Sequence, residues 1–192
     1  MGVVYNENIN HFNYYLAVES DLINTFRYVE CSKSNNNTFS VEFARIIMTS
    51  TQEIDGLFKE IFRLIDPDSN PKNIGKYKKL VLKHLPDLVE EKIYASKYGI
   101  ELTPWINWCS DSNPDWWRAN NDIKHERLSN FDKANLKNAL NSVAALYCVN
   151  MYYLKVLKEQ EEGEALDWPE VFMWLPSKNE LFRLESNKHH AW

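Results

Sequence analysis

The sequence predicts an all-α fold: a bundle of four to five helices with one small β-hairpin inserted, in a single domain. Apolar residues recur at three- and four-residue spacing over long stretches, turn-forming residues interrupt them at definite points, and one short segment changes period. A length of 192 residues with 44% hydrophobic and 26% charged residues fits one globular domain, 1–192, with 165–192 as an appended tail. Only five Gly and seven Pro are present, which argues against a glycine-rich phosphate loop and against long disorder.

Ile9, Phe12, Leu16, Leu22, Ile23 and Phe26 mark a first amphipathic helix running to about Val29. Ser32 to Thr38 is polar and reads as a loop. A long second helix follows, with Phe39, Phe43, Ile46, Ile47, Ile54, Leu57, Phe58, Ile61 and Ile65 on its apolar side. It stops at Asp66-Pro67, because the residue before proline is pushed out of the helical region, and it should pack antiparallel to the first.

A shorter helix spans Asn73 to Leu85 and ends at Pro86; Lys72, Lys76, Lys78, Lys79 and Lys83 form its charged surfaces. Lys92 to Ala95 and Ile100 to Thr103 flank Ser96 to Gly99, a hairpin signal. Asn113-Pro114 starts a helix over Pro114 to Lys124, with Asn113 as the cap. Asp132 is expected to cap the last long helix, whose stripe of Leu136, Leu140, Val143, Tyr147 and Leu154 continues to about Lys158. An acidic run, Glu159 to Glu164, closes it, and the tail adds two apolar pieces, Val171 to Leu175 and Leu181 to Leu184.

Net charge is −5, against the broad basic surface of sequence-independent nucleic-acid binders, although the lysine-rich third helix leaves room for a local patch. Cys31, Cys109 and Cys148 are odd in number and widely spaced, so neither a disulfide framework nor a metal knuckle is expected. His84 reads as a packing residue, His11 has no recognisable partner, and His189-His190 do not specify a metal site. The amino terminus shows no signal pattern and the most apolar segment, near 143–154, is too short to cross a bilayer, so a cytoplasmic protein without membrane, metal or cofactor is expected.

Trp105, Trp108, Trp116 and Trp117 precede the stretch Arg118 to Arg127, and their expected task is to anchor the helix that carries it. On that helix Arg118 and His125 lie seven positions apart, on nearly one face and about 10 Å apart along the axis. Asn121 and Asp122 fill the space between them as one polar row. Such a row suits attack on an RNA phosphodiester: imidazole exchanges a proton near neutral pH, guanidinium matches two phosphate oxygens, and the 2′-OH is an internal nucleophile. The spacing is wide for one phosphate, which a symmetric dimer would solve.

Trp116 to Arg127, followed by Phe131 and the helix to Leu154, resembles the carboxy-terminal half of HEPN-like domains, over about forty residues. The hallmark of that family is Arg, four to six residues, then His, and Arg118 with six residues before His125 meets it at the long limit. The resemblance implies a metal-independent endoribonuclease working at a homodimer interface, as a toxin or phage-defence effector with an antitoxin or other protein partner. It assigns His125 as acid/base, Arg118 as phosphate ligand and Asn120 or Asn121 as the orienting group; Asp122, Lys124 and Arg127 complete the expected RNA-binding set. Active members usually place Asn, Asp or His directly after the Arg, where this chain has Ala119. The alternative is a noncatalytic HEPN-like module that holds a nucleotide, RNA or protein partner.

Overall fold

The computed structural model describes residues 10–173, 175 and 179–185. Among them are six α-helices, α1 (Asn10–Thr25), α2 (Val41–Ile65), α3 (Ile74–His84), α4 (Asp115–Asn130), α5 (Leu136–Glu162) and α6 (Trp168–Met173), and three short strands. Local chemistry explains most of the boundaries. Ser40 Oγ accepts the Phe43 N–H at 3.1 Å to start α2, and Asn73 Oδ1 accepts the Lys76 N–H at 3.0 Å to start α3. The helices stop at Asp66 and Leu85, each the residue before a proline. Gly163, at φ 76°, supplies the left-handed residue that closes α5.

Three expected boundaries are corrected. Asp132 does not cap α5; it sits in a 3-10 turn, Phe131–Lys133, and Asn135 takes the role by accepting the Asn138 N–H at 3.0 Å. Asn113 does not cap α4, whose first flanking residue is Pro114, with no side-chain bond to the free N–H groups. That helix runs past Lys124 to Asn130, but Glu126 at φ −139° and ψ 54° breaks it directly after His125. In addition, α2 starts at Val41 rather than Phe39, because Phe39 bridges to Asn135 in extended pairing.

Two helices form the centre. Ser40 N donates to Ala134 O at 3.1 Å and Leu136 N to Thr38 O at 3.0 Å, so α2 and α5 begin side by side. They then run parallel. Asp21 pairs with Arg45 at 2.9 Å and His11 with Glu53, which sets α1 antiparallel to α2; Tyr15 on Tyr147 and His11 on Tyr153, at ring separations of 5.4 and 5.3 Å, do the same against α5. Both α1 and α4 pack on both helices of the central pair. The core between them takes Phe12, Leu22, Phe43, Ile47, Leu57, Phe58, Leu140, Val143 and Tyr147.

The expected hairpin is one strand short of the observed sheet. Ile93–Ala95 (β1) pairs antiparallel with Ile100–Leu102 (β2) through the Ser96–Tyr98 turn and Gly99 at φ 62°, and with Arg183–Leu184 (β3) on its other edge. The tail is further held by Glu19 of α1, which is 2% exposed. Its carboxylate accepts the Glu180 and Leu181 N–H groups at 2.9 and 3.0 Å, the Asn179 amide at 3.3 Å and the Tyr15 hydroxyl. Trp105, Trp108 and Trp116 are buried beside Phe58, and Trp116 Nε1 donates to Pro104 O at 2.8 Å, so this cluster is core packing that fixes the start of α4. Among the described residues no helix is long and apolar enough to cross a membrane.

Candidate functional site

Helix α4 divides into two sides. Trp116, Trp117, Ala119, Asn120 and Ile123 are buried, while Arg118, Asn121, Lys124 and His125 are exposed. Because helical geometry persists through His125, Arg118 and His125 share one face two turns apart. Arg118 Nη2 donates to Asp115 Oδ1 at 2.6 Å, and Lys137 approaches the other oxygen at 3.8 Å. Asp122 is paired with Lys133 at 2.6 Å. Among the described residues the side chains of His125, Lys124 and Arg127 have no hydrogen bond or ion pair. The two ends of the row are therefore unequal: the guanidinium is already engaged and the imidazole is free.

A cleft of about 370 Å³ opens between α2 and α4, bounded by Trp117, Asn120, Asn121 and Lys124 on one side and by Met48, Thr51, Gln52 and Asp55 on the other. Of the residues singled out from sequence, Asn120, Asn121 and Lys124 meet here. Arg118 and His125 do not line it, since the helical register turns them roughly 90–110° away from the cleft direction. Asn121 belongs to both the row and the cleft. Asp55 directs Oδ1 to the Tyr77 hydroxyl at 2.6 Å and Oδ2 to Lys59, and burial, followed by the bond to Asp55, pushes the Tyr77 hydroxyl up.

Sequence reasoning missed the α2 wall. The signal was the gap in the apolar run between Ile47 and Ile54, where Thr51 and Gln52 interrupt the stripe, with Asp55 directly after it. It also missed the partner of His11, which is Glu53. His84 packs as expected, with Nε2 3.2 Å from Asp66. The lysines on and just before α3 are mostly a solvated surface: Lys72, Lys76 and Lys79 are exposed, Lys83 pairs with Asp66 at 3.5 Å, and Lys78 donates to Ser110 O at 2.7 Å. Cys31 and Cys148 are buried and Cys109 is exposed, all three free. Among the described residues no group of three or more His, Cys, Asp and Glu is placed to hold a metal; His189-His190 lie outside them. No protein-family model matches the chain, and no curated protein and no solved structure matches it significantly.

Proposed function

We propose that the protein is a metal-independent endoribonuclease of HEPN type, acting on RNA as a homodimer in a toxin or phage-defence setting. The observation that carries this reading is the exposed, unpartnered imidazole of His125 two turns from the exposed guanidinium of Arg118. The 2′-OH attacks the adjacent phosphorus while His125 takes its proton; the bond to the 5′-oxygen breaks, leaving a 2′,3′-cyclic phosphate and, once that oxygen gains a proton, a 5′-hydroxyl. Arg118 steadies the charge on the pentacoordinate phosphorus, and Asn121, between them on the same face, orients the reacting groups. Lys124 and Arg127 contribute positive charge along the RNA path.

A second reading, a noncatalytic RNA- or partner-binding module, draws on two observations. Arg118 is already held by Asp115, and Ala119 is only 3% exposed, so the position directly after the arginine faces the core rather than a substrate. Cleavage of single-stranded and structured RNA in EDTA separates the two. The nuclease reading expects cyclic-phosphate products and a loss of about 10²–10⁴-fold in rate for His125→Ala; equal cleavage by both proteins, or none by either, removes it.

A further inference from the structure

We infer that the cleft between α2 and α4 is a nucleobase subsite that takes an adenine from single-stranded RNA. This deepens the RNA reading above and rests on it for the identity of the polymer; the cleft itself presents two carboxamides with spare donors and acceptors and an ammonium. Asn120 is 8% exposed, and the one hydrogen bond of its side chain among the described residues, to Asn121 Oδ1, is 3.5 Å long, at the outer limit of a useful contact. A carboxamide carries two donors and a two-lone-pair acceptor, so a buried one with a single long contact is short of partners on the side it opens to. That side is the cleft.

Across the gap Gln52 presents a second carboxamide, exposed and without a hydrogen bond among the described residues. Amide side chains match the adjacent donor and acceptor of adenine, N6–H and N7, as a pair. Trp117, 8% exposed, adds a small patch of apolar indole surface to the same wall, against which the edge of a base can pack. Asp55 brings little net repulsion, since Lys59 and the Tyr77 hydroxyl occupy its oxygens. Lys124 borders the cleft with a free ammonium, suited to the phosphate that follows the base, and the next residue is His125. The volume, about 370 Å³, is at the small end of the ~300–1,000 Å³ range of ligand sites, right for one nucleotide and too small for a duplex.

The test uses 2′-O-methyl RNA hexamers, which lack the nucleophile and cannot be cleaved: all-uridine, and uridine with one central adenosine, guanosine or cytidine. Each is titrated against the full chain by fluorescence anisotropy. The adenosine hexamer is expected to bind about tenfold more tightly than the others, the scale of one amide–base pair. Gln52→Ala, at an exposed position that leaves the core untouched, and Asn120→Ala, checked by its melting temperature, should each reduce that preference severalfold. Equal affinity for all four hexamers, or a preference unchanged in Gln52→Ala, overturns the subsite and leaves the cleavage reading intact. Conversely, a preference shown by a protein that cleaves no RNA upholds the subsite and removes the nuclease alone.

Discussion

Glu19 and Asp115 sit in two regions that treat a carboxylate in opposite ways. Glu19, at the buried junction of α1 and the tail, receives two backbone N–H groups, an amide and a tyrosine hydroxyl. Asp115, on the open face of α4, is half exposed and meets only the Arg118 guanidinium and, more distantly, Lys137. The first site is saturated and closed, so its charge is structural. The second pairs charges that water can also solvate, so a phosphate can replace the aspartate with little penalty. Saturation, rather than charge or burial alone, separates polar groups that hold the fold from those free to meet a ligand.

The largest test of that contrast is Glu19→Ala. It leaves the buried Leu181 N–H and the part-buried Glu180 N–H without their acceptor, while the Asn179 amide keeps Phe182 O at 2.6 Å, and is expected to cost about 3 kcal/mol, with a fall in melting temperature of roughly 10 °C. Glu19→Gln should cost less, because one acceptor oxygen survives; equal effects of the two would show that the anionic charge, not the count of acceptors, holds the tail.

Glu91 tests the middle ground. It is partly buried and accepts a single strong bond, from the Tyr152 hydroxyl at 2.9 Å, and burial holds its carboxyl above the usual carboxylate range. The folded state therefore binds this proton more tightly than the unfolded one. Its contribution to stability is complete below the ordinary carboxylate pKa and is lost as pH rises through the raised folded value. Glu91→Gln is expected to raise the melting temperature at neutral pH and to lose that advantage in acid; a gain that persists unchanged in acid contradicts the assignment.

The smallest effect belongs to Asp115→Asn. Stability should change by less than about 0.5 kcal/mol, while release of Arg118 strengthens RNA binding roughly two- to fivefold at low salt, the scale of one exposed ion pair. A large stability loss would place the Arg118–Asp115 pair with Glu19 as a structural contact.

The same distinction explains how much could be read from the residues. The end of α2, the extent of α3 and the hairpin were legible, because Asn73, Pro67, Pro86 and Gly99 act on their own neighbours. The stripe of α1 was legible in part: Phe12 and Leu22 are core and Leu16, Ile23 and Phe26 pack against it, but Tyr15, Val18 and the acidic Glu19 share the buried face, and Ile9 lies outside the described residues. Nothing local marks a glutamate as buried when its donors arrive from about 160 residues away. The strand β3 was invisible for the same reason, since two residues carry no period and its partner β1 lies far back in the chain. The break at Glu126 has no glycine or proline to announce it. For the site, the Arg118 to His125 row follows from spacing on one helix, whereas the cleft needs α2 brought alongside and so required the structure.

The paired starts of α2 and α5 also govern the order of events at the ribosome. The segments before the two helices are stitched together by backbone bonds, from Ser40 to Ala134 and from Leu136 to Thr38, across nearly a hundred residues of intervening chain. While that stretch is being made, on the order of ten seconds at ordinary elongation rates, α2 has α1 beside it but no central partner, and the part of its apolar side that α5 covers faces solvent. A nascent chain of this protein should thus recruit chaperones until α5 has emerged, and a truncation ending before Leu136 should be insoluble even though it retains α1, α2 and α4.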